Sequence, residues 1–382
     1  MKFLSFAIAS LAAASGASAI NLPSFEQFAI DSGLALAGLN GIALVNSAFH
    51  YKGGCNPLNV KIRREWRTLT KSQRRQYIAA VKCVLKKPSI LPNGWAPGSK
   101  SLFDDFTWVH MNQTLFIHNT GNFLIWHRYF IQLFEDELQK CGYNGGLPYW
   151  EWGYDVKNPR DSPVFDGSDT SLGGDGEYIP NKPNVEITPI GSPGPIILKP
   201  GTGGGCVKTG PFAGMITHLG PSTEADPNQD NPRCLKRDLN PDCAQRFTSF
   251  RNTTELILNS PNIEIFRTHL EGDPRYTPYS LGVHGGGHFT IAGDPGSDAF
   301  ISPGDPAFYL HHSQVDRVYW IWQMLDFQNR QTVFGTQAIM DLWPAPNTTV
   351  EDVIDIRPVA SKTYKIKELM NTVGGPLCYI YI

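Results

Sequence analysis

Six of the ten histidines in this 382-residue chain form two groups of three within apolar, aromatic sequence: His110, His118 and His127, and then His284, His288 and His312. Three imidazoles can hold one metal ion and leave one coordination position open. Two such groups side by side suit two metal ions that share a small ligand. The fold must therefore bring together two segments that are far apart in the chain.

The ligand type narrows the choice of metal. Imidazole suits copper, zinc, iron and nickel, but groups of histidines alone lack the thiolate of structural zinc sites and the carboxylate of non-haem iron sites. Copper is therefore the first candidate, with dioxygen as the shared ligand. Each histidine taken singly could instead be a buried residue that only supports the fold. Gly285 follows His284 where a zinc protease motif has glutamate, so a zinc hydrolase is disfavoured.

The first 19 residues predict a secretory signal peptide. Residues 1–19 combine Lys2 with an apolar stretch and a small-residue cleavage pattern that ends at Ala19. We therefore expect a secreted, extracellular protein with a single domain over residues 20–382. Without Lys2 the chain has 32 basic and 35 acidic residues, a mild net charge of −3. This balance gives no reason to expect a nucleic-acid or membrane partner, and the oligomeric state stays open.

Seven cysteines in a secretory context predict up to three disulfides and one remaining thiol, with a pairing that the sequence does not reveal. Three Asn-x-Thr sequons predict N-glycosylation at Asn112, Asn252 and Asn347. Asn112 lies between two candidate ligands, so we expect it to be too buried for modification.

Helical spacing predicts where the first histidine group lies. Residues 57–87 are expected to be largely helical, with Thr70 and Gln73 as a capping pair, and Ser101 with Asp104 is expected to start the helix that carries His110. His127 lies within a further helical run over residues 123–138. On that helix we expect Arg128 and Glu135 to pair on the face opposite the histidine.

Two Xaa-Pro pairs predict later helix starts, at Ser260-Pro261 and at Asp305-Pro306. The second of these helices carries His312 on an apolar face. The fold class is therefore mainly α, with a four-helix bundle core that holds the two-metal site and long irregular loops. Residues 156–245 are rich in glycine and proline, so we expect ordered loops held by Cys206, Cys234 and Cys243, which either frame a site entrance or are purely structural.

Six segments resemble the type 3 copper proteins of the tyrosinase and catechol oxidase family, in particular its short secreted fungal members. They are RREWRTLTKSQRRQYIAAVKCVL (63–85), LFDDFTWVH (102–110), FLIWHRYFIQLFEDEL (123–138), LPYWEW (147–152), VHGGGHFT (283–290) and SPGDPAFYLHHSQVDRVYWIWQ (302–323).

The resemblance implies a tyrosinase-like catalytic domain that uses two copper ions and dioxygen to oxidise small phenolic substrates, o-diphenols to o-quinones. It assigns His110, His118 and His127 to one copper ion, and His284, His288 and His312 to the other. Of the adjacent residues His311 and His312, the resemblance makes His312 the copper ligand and places His311 next to the ligands without binding copper. Asp316 is expected to orient an imidazole through its second nitrogen.

Several positions differ from the family pattern. Phe116 replaces the cysteine that many members cross-link to the second histidine, so we expect His118 to be held by packing alone. Gly285 replaces an asparagine that helps a glutamate position a water molecule in good monophenol hydroxylases. Glu271 is a candidate for that glutamate, and helix termination is the alternative role. Ala299 falls where some relatives have a bulky residue above the copper ions, so an open entrance is expected.

These differences predict that diphenol oxidation dominates and that monophenol hydroxylation is weak or slow. The alternative is a full tyrosinase with strong monophenol activity. Tyr379–Tyr381 resembles the tyrosine motif that closes the catalytic domain, and the absence of a following shielding domain predicts activity without proteolysis. Arg63 or Arg64 is expected to anchor this terminus.

Two other classes of protein remain as rivals. Haemocyanins are oxygen carriers with the same six-histidine core, but they block substrate access to it. A zinc hydrolase or a structural metal protein is the second rival. The absence of a shielding domain and the small side chain of Ala299 favour an enzyme.

Overall fold

The computed structural model describes residues 24–382, so the predicted signal peptide lies outside them. Its helices are α1 (Phe25–Asp31), α2 (Leu34–Ser47), α3 (Lys71–Val84), α4 (Leu102–Ile117), α5 (Phe123–Lys140), α6 (Pro241–Phe247), α7 (Phe250–Asn259), α8 (Ile263–Glu271), α9 (Gly282–Ile291), α10 (Ala307–Leu325) and α11 (Ile366–Leu369). Its strands are β1 (Lys61–Arg63), β2 (Gly176–Tyr178), β3 (Val185–Ile187), β4 (Ile196–Leu198), β5 (Gly204–Val207), β6 (Ile216–Thr217), β7 (Arg233–Cys234), β8 (Val353–Ile354), β9 (Tyr364–Lys365) and β10 (Tyr379–Tyr381).

Four helices, α4, α5, α9 and α10, form the central bundle. Helix α10 packs against α2, α5 and α9, and α4 packs against α5. Every residue of α10 from Ala307 to Met324 is buried, because other elements of the fold enclose the helix. The mainly helical fold class with a four-helix core and irregular loops is confirmed.

Capping signals located two helices correctly, and other helix starts differ from the predictions. The Thr70–Gln73 and Ser101–Asp104 capping boxes are both present. The predicted helix over residues 57–87 begins only at Lys71, because residues 61–63 form a strand. Helix α8 begins after the cap residue Asn262 rather than at Ser260, since the Asn262 side chain accepts a hydrogen bond from the backbone of the first turn. Helix α10 begins one residue later than predicted, at Ala307.

The C-terminal strand is tied to the start of the domain. Strand β10 pairs in parallel with β1, and a disulfide joins Cys55 to Cys378. The buried Arg63 donates to the hydroxyl of Tyr381 at 2.9 Å and lies 3.5 Å from the ring centroid of Tyr379. The prediction of an arginine anchor is therefore confirmed for Arg63.

The predicted role of Asp316 at an imidazole is wrong. Its carboxylate accepts hydrogen bonds from Arg128 Nε at 2.6 Å, from Tyr379 at 2.6 Å and from Tyr381 at 2.7 Å. Within residues 24–382 no histidine hydrogen-bonds to it. The reason is that buried arginine and tyrosine side chains use its acceptor sites, so Asp316 links α10 to α5 and to the C-terminal strand.

The predicted pair between Arg128 and Glu135 is also wrong. Both side chains are fully buried rather than at the surface. Arg128 pairs with Asp316, and Glu135 accepts from Arg63 Nε at 2.8 Å. Since this part of α5 is surrounded by other elements, Arg128 and Glu135 find their charged partners on those elements instead of along the helix.

Residues 156–245 fold into loops with short antiparallel pairs, β2 with β5, β3 with β4, and β6 with β7. Disulfides join Cys206 to Cys234 within this segment and Cys83 to Cys141 between α3 and the end of α5. Cys243 is buried and unpaired. The prediction of three disulfides with one remaining thiol is confirmed, whereas Cys243 does not pin the loops through a disulfide.

The three sequons lie in different settings. Asn112 is exposed on α4, so the expectation that it is too buried is wrong: its side chain points away from the histidine face. Asn252 is half-buried and acts in the capping box of α7, and Asn347 is exposed in a loop.

From residue 24 onwards no single helix is long and apolar enough to cross a membrane, although α1 and α2 together pass that test with a 74° bend between them.

Candidate metal centre

The first histidine group comes from two consecutive helices of the bundle. His110 lies within α4, His118 ends that helix, and His127 lies on α5. In all three the Nδ1 atom donates a hydrogen bond to a backbone carbonyl, that of Phe300 at 2.9 Å for His110, Thr114 at 3.0 Å for His118 and Phe123 at 2.9 Å for His127. A carbonyl can only accept, so the proton lies on Nδ1 and the Nε2 lone pair is free.

The expectation that packing alone holds His118 is wrong. Phe116 is exposed and packs against Trp343, so it plays no part in orienting the histidine. The last carbonyls of a helix have no partner within it, and that of Thr114 is available to the His118 ring. A hydrogen bond therefore orients this imidazole in the absence of a thioether.

The second histidine group comes from α9 and α10. His284 and His288 are one turn apart on α9, and His312 lies on α10. The Nε2 atom of His288 lies 3.2 Å from Nε2 of His284 and 3.1 Å from Nε2 of His312. The two groups adjoin, since the rings of His127 and His312 stack with centroids 4.6 Å apart.

The donor atoms fit metal ions. The Nε2 atoms of His110 and His127 lie 3.4 Å apart, although each of them carries a lone pair and no proton. Facing lone pairs repel unless a cation lies between them, and nitrogens about 2 Å from one ion lie about 3 Å from each other. Burial keeps the rings neutral: it lowers the pKa of His118 to about 4 and that of His288 to about 3. These are the protonation states that metal binding requires.

His311 adjoins the second group. Its ring is fully buried, lies 4.4 Å from the ring centroid of His288, and has no hydrogen-bond partner for either nitrogen within residues 24–382. A Cβ atom on Gly287 would lie 2.2 Å from its Cε1 atom, so only glycine leaves room for this ring. The close Nε2 contact with His288 belongs to His312, which favours His312 as the ligand and His311 as a neighbour.

A cavity of about 320 Å³ opens onto both histidine groups. Its lining includes ring atoms of His118, His284 and His288 together with Gly285 and Glu271. Ala299, an exposed residue, also lines it, and apolar side chains make up most of the remaining wall. The structure thus brings the predicted access residues and the candidate glutamate to one cavity beside the histidines.

Glu271 is held in this cavity wall by the end of α8. Gly272 follows it with a φ of 67°, and a Cβ there would lie 2.3 Å from the carbonyl carbon of Leu281. Only glycine permits this conformation and this contact, which bring the end of α8 next to the start of α9. Glu271 therefore lies beside the helix that carries His284.

The Glu271 carboxylate is buried and already hydrogen-bonded. It accepts from the backbone N–H of Asn119 at 2.6 Å and from Arg267 at 2.9 Å. Burial raises the pKa of Glu271 to about 7, despite the opposing effect of Arg267. A carboxyl group of this kind can hold or release a proton near neutral pH.

The loops of residues 156–245 line the cavity, as one of the two predicted alternatives had it, but the sequence did not identify which of their residues do so. Part of the cavity wall is formed by Ile187, Pro189 and Ile190, which belong to the segment predicted only as loops. One signal was available: residues 187–198, ITPIGSPGPIIL, contain no charged residue although they lie in a polar, glycine-rich region. Nothing in the sequence indicated that the backbone N–H of Asn119 donates a hydrogen bond to Glu271.

The helical bundle and the paired histidine groups define the class of dinuclear, type 3 copper proteins. The chain belongs to the tyrosinase family, since the family model described as the common central domain of tyrosinase matches residues 100–325. Two copper ions are the cofactor of this family, and the two histidine groups fit them.

Similar proteins cover nearly the whole chain. Tyrosinase P of Aspergillus terreus is 38% identical over 334 residues, 84% of this chain and 91% of the relative. N-acetyl-6-hydroxytryptophan oxidase of Emericella nidulans is 36% identical over 366 residues, 89% and 97% of the two chains. A solved polyphenol oxidase of Thermothelomyces thermophila, in a variant with glycine replaced by asparagine, has a TM-score of 0.80 and 39% identity over 94% of this chain and 98% of its own.

Proposed function

We propose that this member of the tyrosinase family oxidises o-diphenols to o-quinones with dioxygen, and that it hydroxylates monophenols only weakly or slowly. The observation that carries the proposal is Gly285, which lines the cavity next to His284 and offers no side chain to a water molecule. The only carboxylate in the cavity lining, Glu271, already accepts hydrogen bonds from Asn119 and Arg267. Glu271 therefore has no side chain at residue 285 with which to hold a water molecule, so we infer that deprotonation of a bound monophenol is slow.

We assign the two copper ions to the two groups of three histidines, His110, His118 and His127 for one, and His284, His288 and His312 for the other. When bound, two copper ions supply the pair of one-electron acceptors that two-electron oxidation of a catechol needs. Over the full reaction two catechols lose four electrons and four protons, and one dioxygen becomes two water molecules. Hydrogen bonds to backbone carbonyls hold the rings of His110, His118 and His127 in place, and the apolar cavity excludes water from the bound phenol.

The haemocyanin rival is less well supported. An oxygen carrier needs its metal site closed to phenols, whereas here the edge of His288 is partly exposed at the base of the cavity. Ala299 adds little bulk to the cavity entrance. Tyrosinase P of Aspergillus terreus and N-acetyl-6-hydroxytryptophan oxidase of Emericella nidulans bear the names of enzymes, which favours catalysis over oxygen carriage.

The test compares 4-methylcatechol with 4-methylphenol as substrates of the copper-loaded protein, with quinone formation followed by absorbance. We expect the initial rate on the catechol to exceed that on the phenol by about a hundredfold, since proton-transfer catalysis contributes about that much. Equal rates would show a full tyrosinase. Reversible oxygen binding without any quinone would show a carrier.

We also propose that the mature protein is extracellular and glycosylated. Three disulfides favour an oxidising compartment, and Asn347 is an exposed loop sequon that suits modification. Mass spectrometry of the protein secreted by an expression host checks this proposal. We expect an N-terminus after Ala19 and a glycan on Asn347, whereas retention of the full chain inside the cells would contradict both.

A further inference from the structure

The hairpin formed by β3 and β4 is attached to the helices beside the cavity. Its strands pair from Val185–Leu198 to Ile187–Ile196. The inward side chains of the hairpin pack against α6 and α9 in a small apolar core, which contains Val185, Ile187, Ile196, Leu198, Phe247, Leu281 and Phe289. This core fixes the base of the hairpin on the helix that carries His284 and His288.

The turn of the hairpin reaches the opposite wall of the cavity. A Cβ atom on Gly191 would lie 3.3 Å from Cε of Met340, and one on Gly194 would lie 3.5 Å from Cε1 of Tyr279. These contacts are with the loop after α8 and with residues near Ile339, which also lines the cavity. The hairpin therefore approaches two other segments that line the same cavity, those of Pro274 and Ile339.

The side of the cavity formed by the hairpin carries no charge. Residues 187–198 contain no ionisable side chain, and Ile187, Pro189 and Ile190 line the cavity. Apart from its histidines, the lining has one ionisable residue, Glu271, whose carboxylate is bound by Arg267. A charged substituent on a bound ring would lose water here without gaining a partner, and this desolvation is costly.

We propose that this hairpin selects the substrate by its ring substituent, so that neutral catechols with an apolar substituent are preferred over catechols with a carboxylate or an ammonium group. The inference rests on the proposed diphenol oxidation and adds the class of substrate to it. Ile190 is the specificity-determining residue at the turn, because it lines the cavity and is also 46% exposed at its rim.

The experiment uses catechols that differ only at the 4-position, with tert-butyl, carboxyethyl or aminoethyl groups. For the copper-loaded protein, we expect kcat/KM for 4-tert-butylcatechol to exceed those for the two charged catechols by about tenfold or more, mainly through KM. Equal kcat/KM values for all three would overturn the inference and leave diphenol oxidation intact. Failure to oxidise any catechol would overturn the proposed function and this inference with it.

Two lysine variants of the same hairpin test which of its residues selects between apolar and charged ring substituents. We expect Ile190→Lys to lower KM for the carboxyethyl catechol and to raise it for the aminoethyl catechol. Ile197→Lys is the matched control, since Ile197 is 40% exposed, lies between two inward residues of β4 and does not line the cavity. Equal effects of the two substitutions would place the selection outside the turn and overturn the role of Ile190.

A binding measurement separates recognition from turnover. Resorcinols have their hydroxyl groups in a 1,3 arrangement and cannot form o-quinones without a prior hydroxylation that consumes dioxygen, so calorimetry in the absence of dioxygen can measure their binding directly. We expect 4-hexylresorcinol to bind about tenfold or more tightly than the resorcinol with a carboxyethyl chain, and Ile190→Lys to reduce this ratio. Equal dissociation constants would overturn the inference.

Discussion

At the scale of single residues, Gly285 is the position that bears most directly on the reaction. It lies one residue after His284, at the cavity surface, and near the buried carboxyl group of Glu271. A Cβ atom on it would meet only Leu281, with the closest approach 3.3 Å to its Cβ. A larger side chain is therefore accommodated after a small adjustment, and it would extend into the cavity.

We predict that Gly285→Asn raises the rate of monophenol hydroxylation relative to catechol oxidation by about tenfold or more, because the amide can hold a water molecule with Glu271 as proton acceptor. Initial rates on 4-methylphenol and 4-methylcatechol measure the ratio. Gly285→Ala is the control, since it adds bulk without an amide. If the ratio of monophenol to catechol rates rose equally in Gly285→Asn and Gly285→Ala, added bulk rather than the amide would be the cause.

The clustering of the six histidines was predictable from the sequence, whereas the hydrogen bonds that orient the first group were not. Helical spacing and apolar surroundings marked the six histidines, and the structure brings them into two adjacent groups. The carbonyl groups that orient the first three histidines, such as that of Phe300 at His110, are backbone atoms and leave no trace in residue identity. The role of Asp316 was misjudged because its tyrosine partners lie more than 60 positions further along the chain.

At the scale of elements, the packing of α9 against α10 depends on Gly287. The ring of His311 on α10 occupies the space where a side chain on Gly287 would project. Gly285 lies on the same helix, but there a Cβ atom meets only Leu281. Alanine substitutions at Gly287 and Gly285 therefore compare added bulk at the helix interface with added bulk at the cavity surface.

We predict that Gly287→Ala destabilises the protein by about 1–3 kcal/mol and weakens copper binding, since overpacking displaces His311 and the adjacent His312. Urea unfolding and copper content per chain measure the two effects. Gly285→Ala should leave both nearly unchanged. A stable Gly287→Ala variant with two copper ions per chain would contradict the tight contact.

Elements stabilised by their own residues were predicted well, and elements that depend on distant partners were not. The capping boxes of α3 and α4 involve residues three positions apart. Strand β1 instead forms because its partner β10 lies at the other end of the chain. The β3–β4 hairpin was missed for a different reason, since its strands of three residues are too short for a periodic signal.

At the scale of the whole molecule, a buried network of charges connects the bundle to the chain's last strand. Asp316 on α10 accepts from Arg128 on α5 and from Tyr379 and Tyr381 on β10. The Arg63 guanidinium completes the network from β1. The arginines keep the pKa of Asp316 below its usual value despite burial, so the network stays ionised and joins three parts of the fold near the base of the metal site.

The histidine groups give the whole protein a dependence on pH when copper is removed. In the folded apoprotein, burial lowers the pKa of His118 to about 4 and that of His288 to about 3, whereas unfolded histidines titrate near 6.5. Below pH 6.5 the unfolded chain thus binds more protons than the folded one, and stability falls with the pH. Each buried histidine contributes up to about 1.4 kcal/mol per pH unit.

We therefore predict that the free energy of unfolding of the apoprotein decreases steeply between pH 7 and pH 5, a range above the titration of ordinary carboxylates. Urea unfolding at several pH values after chelation of copper measures the slope. His118→Asn supplies the control: with one buried imidazole removed, the slope should be smaller by about 1 kcal/mol per pH unit. A flat profile in the original protein would mean that its histidines do not stay neutral in the absence of metal, and that the close nitrogen contacts between them depend on bound copper.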